Sequence, residues 1–387
     1  MYKIQTLNNI SVKGLEKFPR ETYEVASEIQ NPDAYMLRSL KLHNVDIPES
    51  VLAIGRAGAG VNNIPIEKMS ARGVPVFNAP GANANAVKEL VLTGMLLGCR
   101  NICQAWECAK NLTGDDESIS KEVEQVKKKF VGFELPGRTL GVIGLGAIGT
   151  SVANMARDLG MNVVGYDPAL TVERAWQLSS SIESANTVDE LLAKSDFVTI
   201  HVPFNEGTKN LINARRINTM NDNAIILNFS RNGIVNDEDV VEALNAGKLY
   251  SYICDFPSNL LKDHPRVITL PHLGASTGEA EENCAIMIAD QLKDFLENGN
   301  IKNSVNFPQV KMPRVSGYRM AIANSNVPNM VGQISSILAE TGHNILDLLN
   351  KSRGDLAYTL LDVDTEITKD VVDQIKAIDG VLSVRTI

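Results

Sequence analysis

Little in this chain suits nucleic acid, a bilayer or a metal cluster. Its 37 Lys and Arg are outnumbered by 46 Asp and Glu, giving a net charge of −9, and no basic run exceeds Lys127-Lys128-Lys129. A polyphosphate backbone therefore has no matching surface, and the triplet reads as a solvated helix face. No apolar run approaches the ~18 residues that span a bilayer. Met1-Tyr2-Lys3-Ile4-Gln5 lacks the charged-then-apolar layout of a signal peptide, so no membrane partner and a cytoplasmic location are expected. Cysteine is sparse, at five residues. Cys99, Cys103 and Cys108 follow a C-x3-C-x4-C spacing with no nearby His, which points to buried thiols rather than a metal site. Histidine is equally scarce, also five residues, which shortens any search for a general base.

What the chain does have is apolar residues, 44% of 387, enough for two or three domains with sizeable cores. The most informative stretch is Thr139-Leu140-Gly141-Val142-Ile143-Gly144-Leu145-Gly146-Ala147-Ile148-Gly149. A short apolar run enters a G-x-G-x-x-G turn, a helix-compatible segment leaves it, and the next apolar run ends on Asp167. This is a dinucleotide-binding fingerprint in context. Gly144 serves the tight turn, Gly146 the approach of backbone N–H groups to a pyrophosphate, and Gly149 the close helix–strand packing. The N-terminus of the helix favours the anion. Asp167 suits the ribose hydroxyls of NAD and would repel the 2′-phosphate of NADP, and no Arg or Lys occurs from Pro168 to Glu173. The expected cofactor is NAD.

Apolar runs at Phe197–Val202, Ala224–Asn228, Tyr252–Asp255 and Val267–Leu270 continue the alternation, predicting a doubly wound parallel sheet. The leading segment shows its own βα alternation, with a long helix from near Asn85 to Cys99, while Gly114 to Val131 reads as a surface connection. Glu279 to Leu296 is a long amphipathic helix. After a break at Asn306-Phe307-Pro308, the stretch Val315 to Ile387 reads β-α-β-β-α-β, a ferredoxin-like module.

A bound nicotinamide implies hydride transfer, which needs a base for the hydroxyl proton and a cation to hold the substrate. His43 and His264 lie in polar loops, and His343 falls in the C-terminal module. His201 ends an apolar run and suits a packing or backbone-orienting role. His272, in Pro271-His272-Leu273-Gly274-Ala275-Ser276-Thr277, ends a strand, where ligands of open α/β sheets bind. By position it is either the base or an ordinary turn residue. Arg231, just past another strand, either grips a carboxylate or sits on an exposed loop.

With these residues the chain resembles the D-2-hydroxyacid dehydrogenases over nearly its whole length. The resemblance is carried by Gly55-Arg56-Ala57-Gly58-Ala59-Gly60-Val61-Asn62-Asn63, Val76-Phe77-Asn78-Ala79-Pro80, the fingerprint, Ser230-Arg231-Asn232-Gly233-Ile234-Val235 and Pro271–Thr277. It implies a two-lobed, doubly wound parallel-sheet (Rossmann-like) α/β dehydrogenase with a C-terminal ferredoxin-like ACT regulatory domain. Its boundaries would be 1–93 with 278–310 for the substrate domain, 94–277 for the NAD domain and 315–387 for the ACT domain. The implied reaction is that of the family members that open L-serine biosynthesis, NAD-dependent oxidation of 3-phospho-D-glycerate to 3-phosphohydroxypyruvate. The alternatives are another D-2-hydroxy acid, or a non-catalytic protein sensing NAD and an amino acid.

By the same resemblance, Arg231 binds the substrate carboxylate, His272 accepts the proton, and Arg38, Ser39, Arg56 and Asn83 contact the substrate. Cofactor contacts fall on Gly144, Gly146, Ala147, Ile148, Gly149, Asp167, Val202, Phe229, Ser230, Arg231, Asp255, His272, Gly274 and Ala275. One departure matters. The family places a Glu shortly after Asp-Val-Phe to orient and charge the catalytic His, but here Cys254-Asp255-Phe256-Pro257-Ser258-Asn259-Leu260 puts Leu260 in that position. Asp263 is the candidate substitute, or His272 works unassisted; Asp255 is less suited, since the resemblance places it on the nicotinamide side. In the tail, the family's effector-binding His and two Asn fall on Asn324, Asn326 and Asn344, and Pro328-Asn329 replaces a Pro-Gly turn. A homodimer or homotetramer and an amino-acid effector are implied.

Overall fold

Three sheets form from these alternating runs. The computed structural model describes residues 1–314 and 317–387. The chain divides into two compact units, residues 1–82 with 281–387 and residues 83–280.

In the first unit, β1 (Tyr2–Leu7), β2 (Tyr23–Ala26), β3 (Ala34–Leu37), β4 (Ala53–Arg56) and β5 (Val76–Phe77) make a parallel sheet in the order β2-β1-β3-β4-β5. The amphipathic stripe of the helix Gly278–Asn298 buries Cys284, Ala285, Ile288 and Leu292 in the core of this unit.

In the second unit, β6 (Thr139–Ile143), β7 (Asn162–Tyr166), β8 (Glu183–Ser184), β9 (Phe197–Ile200), β10 (Ala224–Asn228), β11 (Leu249–Cys254) and β12 (Val267–Thr269) are parallel, in the order β12-β11-β10-β9-β6-β7-β8. The order reverses between β6 and β9, creating the crevice where open α/β sheets bind ligands. The helix Ala84–Cys99 buries Val87, Val91, Met95 and Cys99 in the core on one face of this sheet. Gly94 and Gly98 let it lie close, since a Cβ at either position would come within 2.9 Å of the Phe229 ring or 2.8 Å of Ile253. A boundary at 93 would cut this helix in two; packing keeps it whole, and the unit runs from 83 to 280 rather than 94 to 277.

Gly114 to Val131 lies at the surface, as expected, but is built from regular structure. It carries the helix Asp116–Val126, whose first turn is capped by the Asp115 side chain accepting from the Ser118 N–H at 2.9 Å. Acidic Asp116 and Glu117 suit the helix N-terminus, and a Glu117–Lys121 pair supports the next turn.

The C-terminal module has β13 (Tyr318–Ser325), β14 (Ile345–Arg353), β15 (Leu356–Val363) and β16 (Val381–Thr386) in an antiparallel sheet ordered β14-β15-β13-β16, with helices Met330–Glu340 and Lys369–Lys376. The expected first residue of this module, Val315, lies outside the described residues. Strand periodicity sends Met320, Ile322, Leu361 and Val363 to the helix side, and Ala321, Ala323, Tyr358 and Leu360 to the opposite face. That second face shares one core with Phe295, Leu296, Phe307 and Val310. The module thus packs within the first compact unit. Among the described residues, no helix is long and apolar enough to cross a membrane.

Candidate active site

The fingerprint occupies the switch point of the second unit. Gly144 has φ +91°, and a Cβ there would stand 2.6 Å from the His201 carbonyl oxygen. Gly149 is tighter still, with a virtual Cβ 1.8 Å from the Gly144 oxygen, so only glycine lets the helix Ala147–Asp158 meet the turn. The space beside Gly146 is open, with nothing within 4 Å of a Cβ, and no side chain caps this helix. Asp167 accepts the Leu145 N–H at 2.8 Å and the Ala169 N–H at 2.9 Å. Those bonds pin the turn to the end of β7 and leave the carboxylate spare acceptor capacity for a ribose.

The next three groups stand past β10, β11 and β12. Asn228 shapes the first: its Oδ1 accepts the Ser230 N–H at 3.2 Å and its Nδ2 donates to the Arg231 carbonyl at 3.0 Å. Ser230 in turn donates to the Val202 carbonyl at 2.5 Å, tying two sequence-predicted cofactor residues together. Arg231 remains exposed, its guanidinium donating to the Ser230 carbonyl at 2.7 Å.

His272 sits in the left-handed region at φ +49°, a conformation costly for a non-glycine residue and common at functional sites. Its N–H donates to the Asp255 and Leu270 carbonyls, both at 3.1 Å. Its ring packs edge-on against Phe256 and faces solvent elsewhere.

Asp263 does not reach His272. The Asp263 side chain is 85% exposed and its ion pair is with Lys262, at 4.0 Å. A charged side chain on an open loop gains more from hydration than from an imidazole, so the loop does not supply the carboxylate expected beside His272. Leu260, at the family's Glu position, also points outward, at 45% exposure. The carboxyl near both groups is Asp255, which is buried, its Oδ1 without a hydrogen-bond partner among the described residues. Burial pushes its pKa up, while the charges of His272 and Arg231 pull it back.

His201 is a structural histidine. Burial pushes its pKa down to about 4, and its Nε2 lies 2.9 Å from the Thr199 hydroxyl. Asn83 begins the helix Ala84–Cys99 with a buried, unpartnered Oδ1.

In the first unit, β3 and β4 pair in register so that Leu37 lies opposite Arg56, bringing Arg38 beside it. The Arg56 Nε donates to the Arg38 carbonyl at 3.0 Å, and Asn63 donates to the same oxygen at 3.3 Å. Ser39 is fixed through its N–H, which donates to Asn8 Oδ1 at 3.2 Å. Sequence reasoning missed Phe256, which lay inside the departing stretch, and Glu281, whose carboxylate meets Arg38 at 2.6 Å. The only signal for Glu281 was its place at the head of an apolar helical stripe.

In the C-terminal module, Asn324 and Asn326 line a cavity of about 160 Å³ together with Asn329, Asn350 and Ala357. Asn329 adopts φ +64°, in the place of the family's glycine. Asn344 does not line this cavity; its N–H donates to Asp364 at 3.0 Å, at the start of β14.

The residues present fit NAD. An uncapped helix start stands beside open space at Gly146, an acid closes β7, and a buried carboxyl oxygen of Asp255 has no partner among the described residues.

A sequence model described as "D-isomer specific 2-hydroxyacid dehydrogenase, NAD binding domain" matches residues 102–274. The chain is 35% identical over 352 residues to the D-3-phosphoglycerate dehydrogenase of Methanocaldococcus jannaschii, covering 88% of this chain and 63% of that protein. Against the D-3-phosphoglycerate dehydrogenase of Haemophilus influenzae it is 32% identical over 355 residues, covering 89% and 83%. It thus spans less than two thirds of the archaeal relative's length but over four fifths of the bacterial one's. Among solved structures, the NAD+-bound 3-phosphoglycerate dehydrogenase of Entamoeba histolytica superposes with a TM-score of 0.59 at 27% identity, covering 79% of this chain and 98% of that one. The apo D-mandelate dehydrogenase of Rhodotorula graminis shares the fold, with a TM-score of 0.66 at 23% identity over 81% of this chain and 99% of that one. A chain this similar, along most of its own length and most of a curated relative's, belongs to the D-isomer specific 2-hydroxyacid dehydrogenases, as an NAD-dependent oxidoreductase of their D-3-phosphoglycerate dehydrogenase branch.

Proposed function

We propose that this chain is a cytoplasmic enzyme that oxidises 3-phospho-D-glycerate to 3-phosphohydroxypyruvate, the first step of L-serine synthesis. The observation that carries the reading is the grouping of Arg231, Asp255 and His272 past three neighbouring strands of the nucleotide unit. Bound NAD supplies the hydride acceptor. His272 takes the hydroxyl proton. Arg231 presents a planar fork to the substrate carboxylate and stabilises charge developing on the carbonyl oxygen. Asp255, buried beside both, balances the Arg231 charge and the charge His272 gains on taking the proton, and its Oδ1 is assigned to the cofactor side. Arg38, Ser39, Arg56 and Asn83 are assigned to the remainder of the substrate, whose phosphate calls for cations.

The deciding experiment is NADH-linked turnover of 3-phosphohydroxypyruvate, with the reverse reaction compared across 3-phosphoglycerate, D-glycerate, lactate and 2-hydroxyglutarate. His272→Asn is expected to lower kcat by about 10²–10⁴-fold. Turnover of a different hydroxy acid overturns the substrate, and tight NADH binding without any turnover favours a sensor.

A regulatory reading accompanies it. The module is proposed to be an ACT domain whose asparagine-lined cavity takes an amino acid, supported by the buried, unpartnered Oδ1 of Asn324. Serine titrated to millimolar concentration during turnover tests this; unchanged rates reject serine as the effector. A homodimer or homotetramer is proposed, supported by the exposed Ile102, Trp106 and Val131 of the nucleotide unit, and sedimentation velocity reads it directly.

A further inference from the structure

Arg38 has one side-chain partner among the described residues, the carboxylate of Glu281, at 2.6 Å. The pairing is built by the fold rather than by chance at a surface. Glu281 heads the stripe Glu281, Cys284, Ala285, Ile288 on the helix Gly278–Asn298, the residues that recur on one helical face. That face is pressed onto β4, where a Cβ on Gly55 would come within 2.4 Å of Ile288. The residue after Gly55 is Arg56, whose Nε holds the Arg38 carbonyl. The buried thiol of Cys284 feels the charges of Arg56, Arg38 and Glu281, so all three face one spot. Two cations and one anion therefore share the place assigned to the substrate's distal end.

We propose that Glu281 is a displaceable counter-ion for the distal-anion subsite: it holds Arg38 until the anionic end of the substrate replaces it. This rests on the proposed assignment of Arg38 and Arg56 to a phosphorylated hydroxy acid. Both partners are about half exposed, 42% for Arg38 and 46% for Glu281, so the pair is weak enough for a phosphate to break. A dianion regains from two guanidiniums more than the lost carboxylate gave. A substrate with no distal charge leaves the pair intact and never meets the competition. Glu281 thus sets the KM for the phosphorylated substrate without touching the reacting atoms.

The test is Glu281→Gln, which keeps the size of the side chain and removes its charge. KM for 3-phospho-D-glycerate is expected to fall about two- to fivefold, the range of an exposed ion pair, with kcat unchanged. KM for D-glycerate is expected to stay put. In an Arg38→Gln background the same substitution is expected to do nothing, because the partner is already gone. A merely structural role would shift both substrates alike, and that result overturns the proposal. So does a rise in KM, or an effect that persists without Arg38. If 3-phosphoglycerate is not turned over at all, the functional reading falls. Glu281 is then judged by the inhibition constant of inorganic phosphate against whichever hydroxy acid is oxidised, expected two- to fivefold tighter in Glu281→Gln, with no tightening counting against the counter-ion.

Discussion

The ring of Phe256 meets the ring of His272 edge to face, with centroids 5.1 Å apart and planes at 89°. The contact buttresses the imidazole from one side by packing. An edge-on aromatic pair contributes roughly 0.5–1.5 kcal/mol. Phe256→Ala is therefore expected to lower kcat about three- to tenfold with a smaller change in KM. Asp263→Asn is expected to leave the pH–rate profile where it was. A shifted acid limb in Asp263→Asn would restore Asp263 as the partner.

Asp167 joins two tasks, since the carboxylate that closes β7 also anchors Leu145 and Ala169. Asp167→Ala removes charge-assisted hydrogen bonds of roughly 1.5–3 kcal/mol each. KM for NAD is expected to rise at least about tenfold, and the preference over NADP to weaken as the repulsion of a 2′-phosphate disappears. Unchanged NAD affinity in steady-state kinetics would show that the acid only shapes the turn.

His201 links pH to stability. The unfolded chain protonates this ring near 6.5, whereas the folded chain resists until about 4. The unfolded state thus binds the extra proton in between, so stability is complete above about pH 6.5 and declines as pH falls towards 4. The full loss amounts to about 3 kcal/mol. In urea titrations from pH 7.5 to 4.5, His201→Gln is expected to lack this decline. A parallel decline in both proteins would assign it to other groups.

Arg319 satisfies all five of its N–H donors. It donates to both oxygens of Asp362 at 2.7 Å and to the carbonyls of Asn298, Met312 and Pro313 at 2.9–3.1 Å. Its side chain is fully buried, so Asp362→Leu strands a charge and is expected to cost about 3–5 kcal/mol. Adding Arg319→Met is expected to recover most of that loss. If the double variant in urea unfolding is no more stable than the single one, the charge is not the source of the cost.

The nucleotide turn was legible because its constraints are local. Gly144 and Gly149 are required by contacts made within the turn and the adjoining strand end, and a short window of sequence carries that information. The placement of His272 and Arg231 past strand ends was legible, because strand ends on a parallel sheet all open on one edge. The βαββαβ order of the tail followed from periodicity in the same way.

Other features depended on which distant segments meet. Both faces of β13 are buried, and its run Met320-Ala321-Ile322-Ala323 does not say what covers the second face, so the core it shares with Phe295 and Phe307 was invisible. The boundary at 82 rather than 93 came from a helix packing across β10 and β11. Asp263 was attractive by nearness in sequence, yet the loop turns it to solvent, while Asp255 gains its influence from strand order. Glu281 reaches Arg38 only because a late helix returns to an early sheet. Sequence alone determined the cofactor turn, the elements and the reactive residue types, since these follow from backbone sterics and short periodicities. Tertiary structure decided which charges face one another, because pair energies depend on distances through space that separation along the chain does not encode.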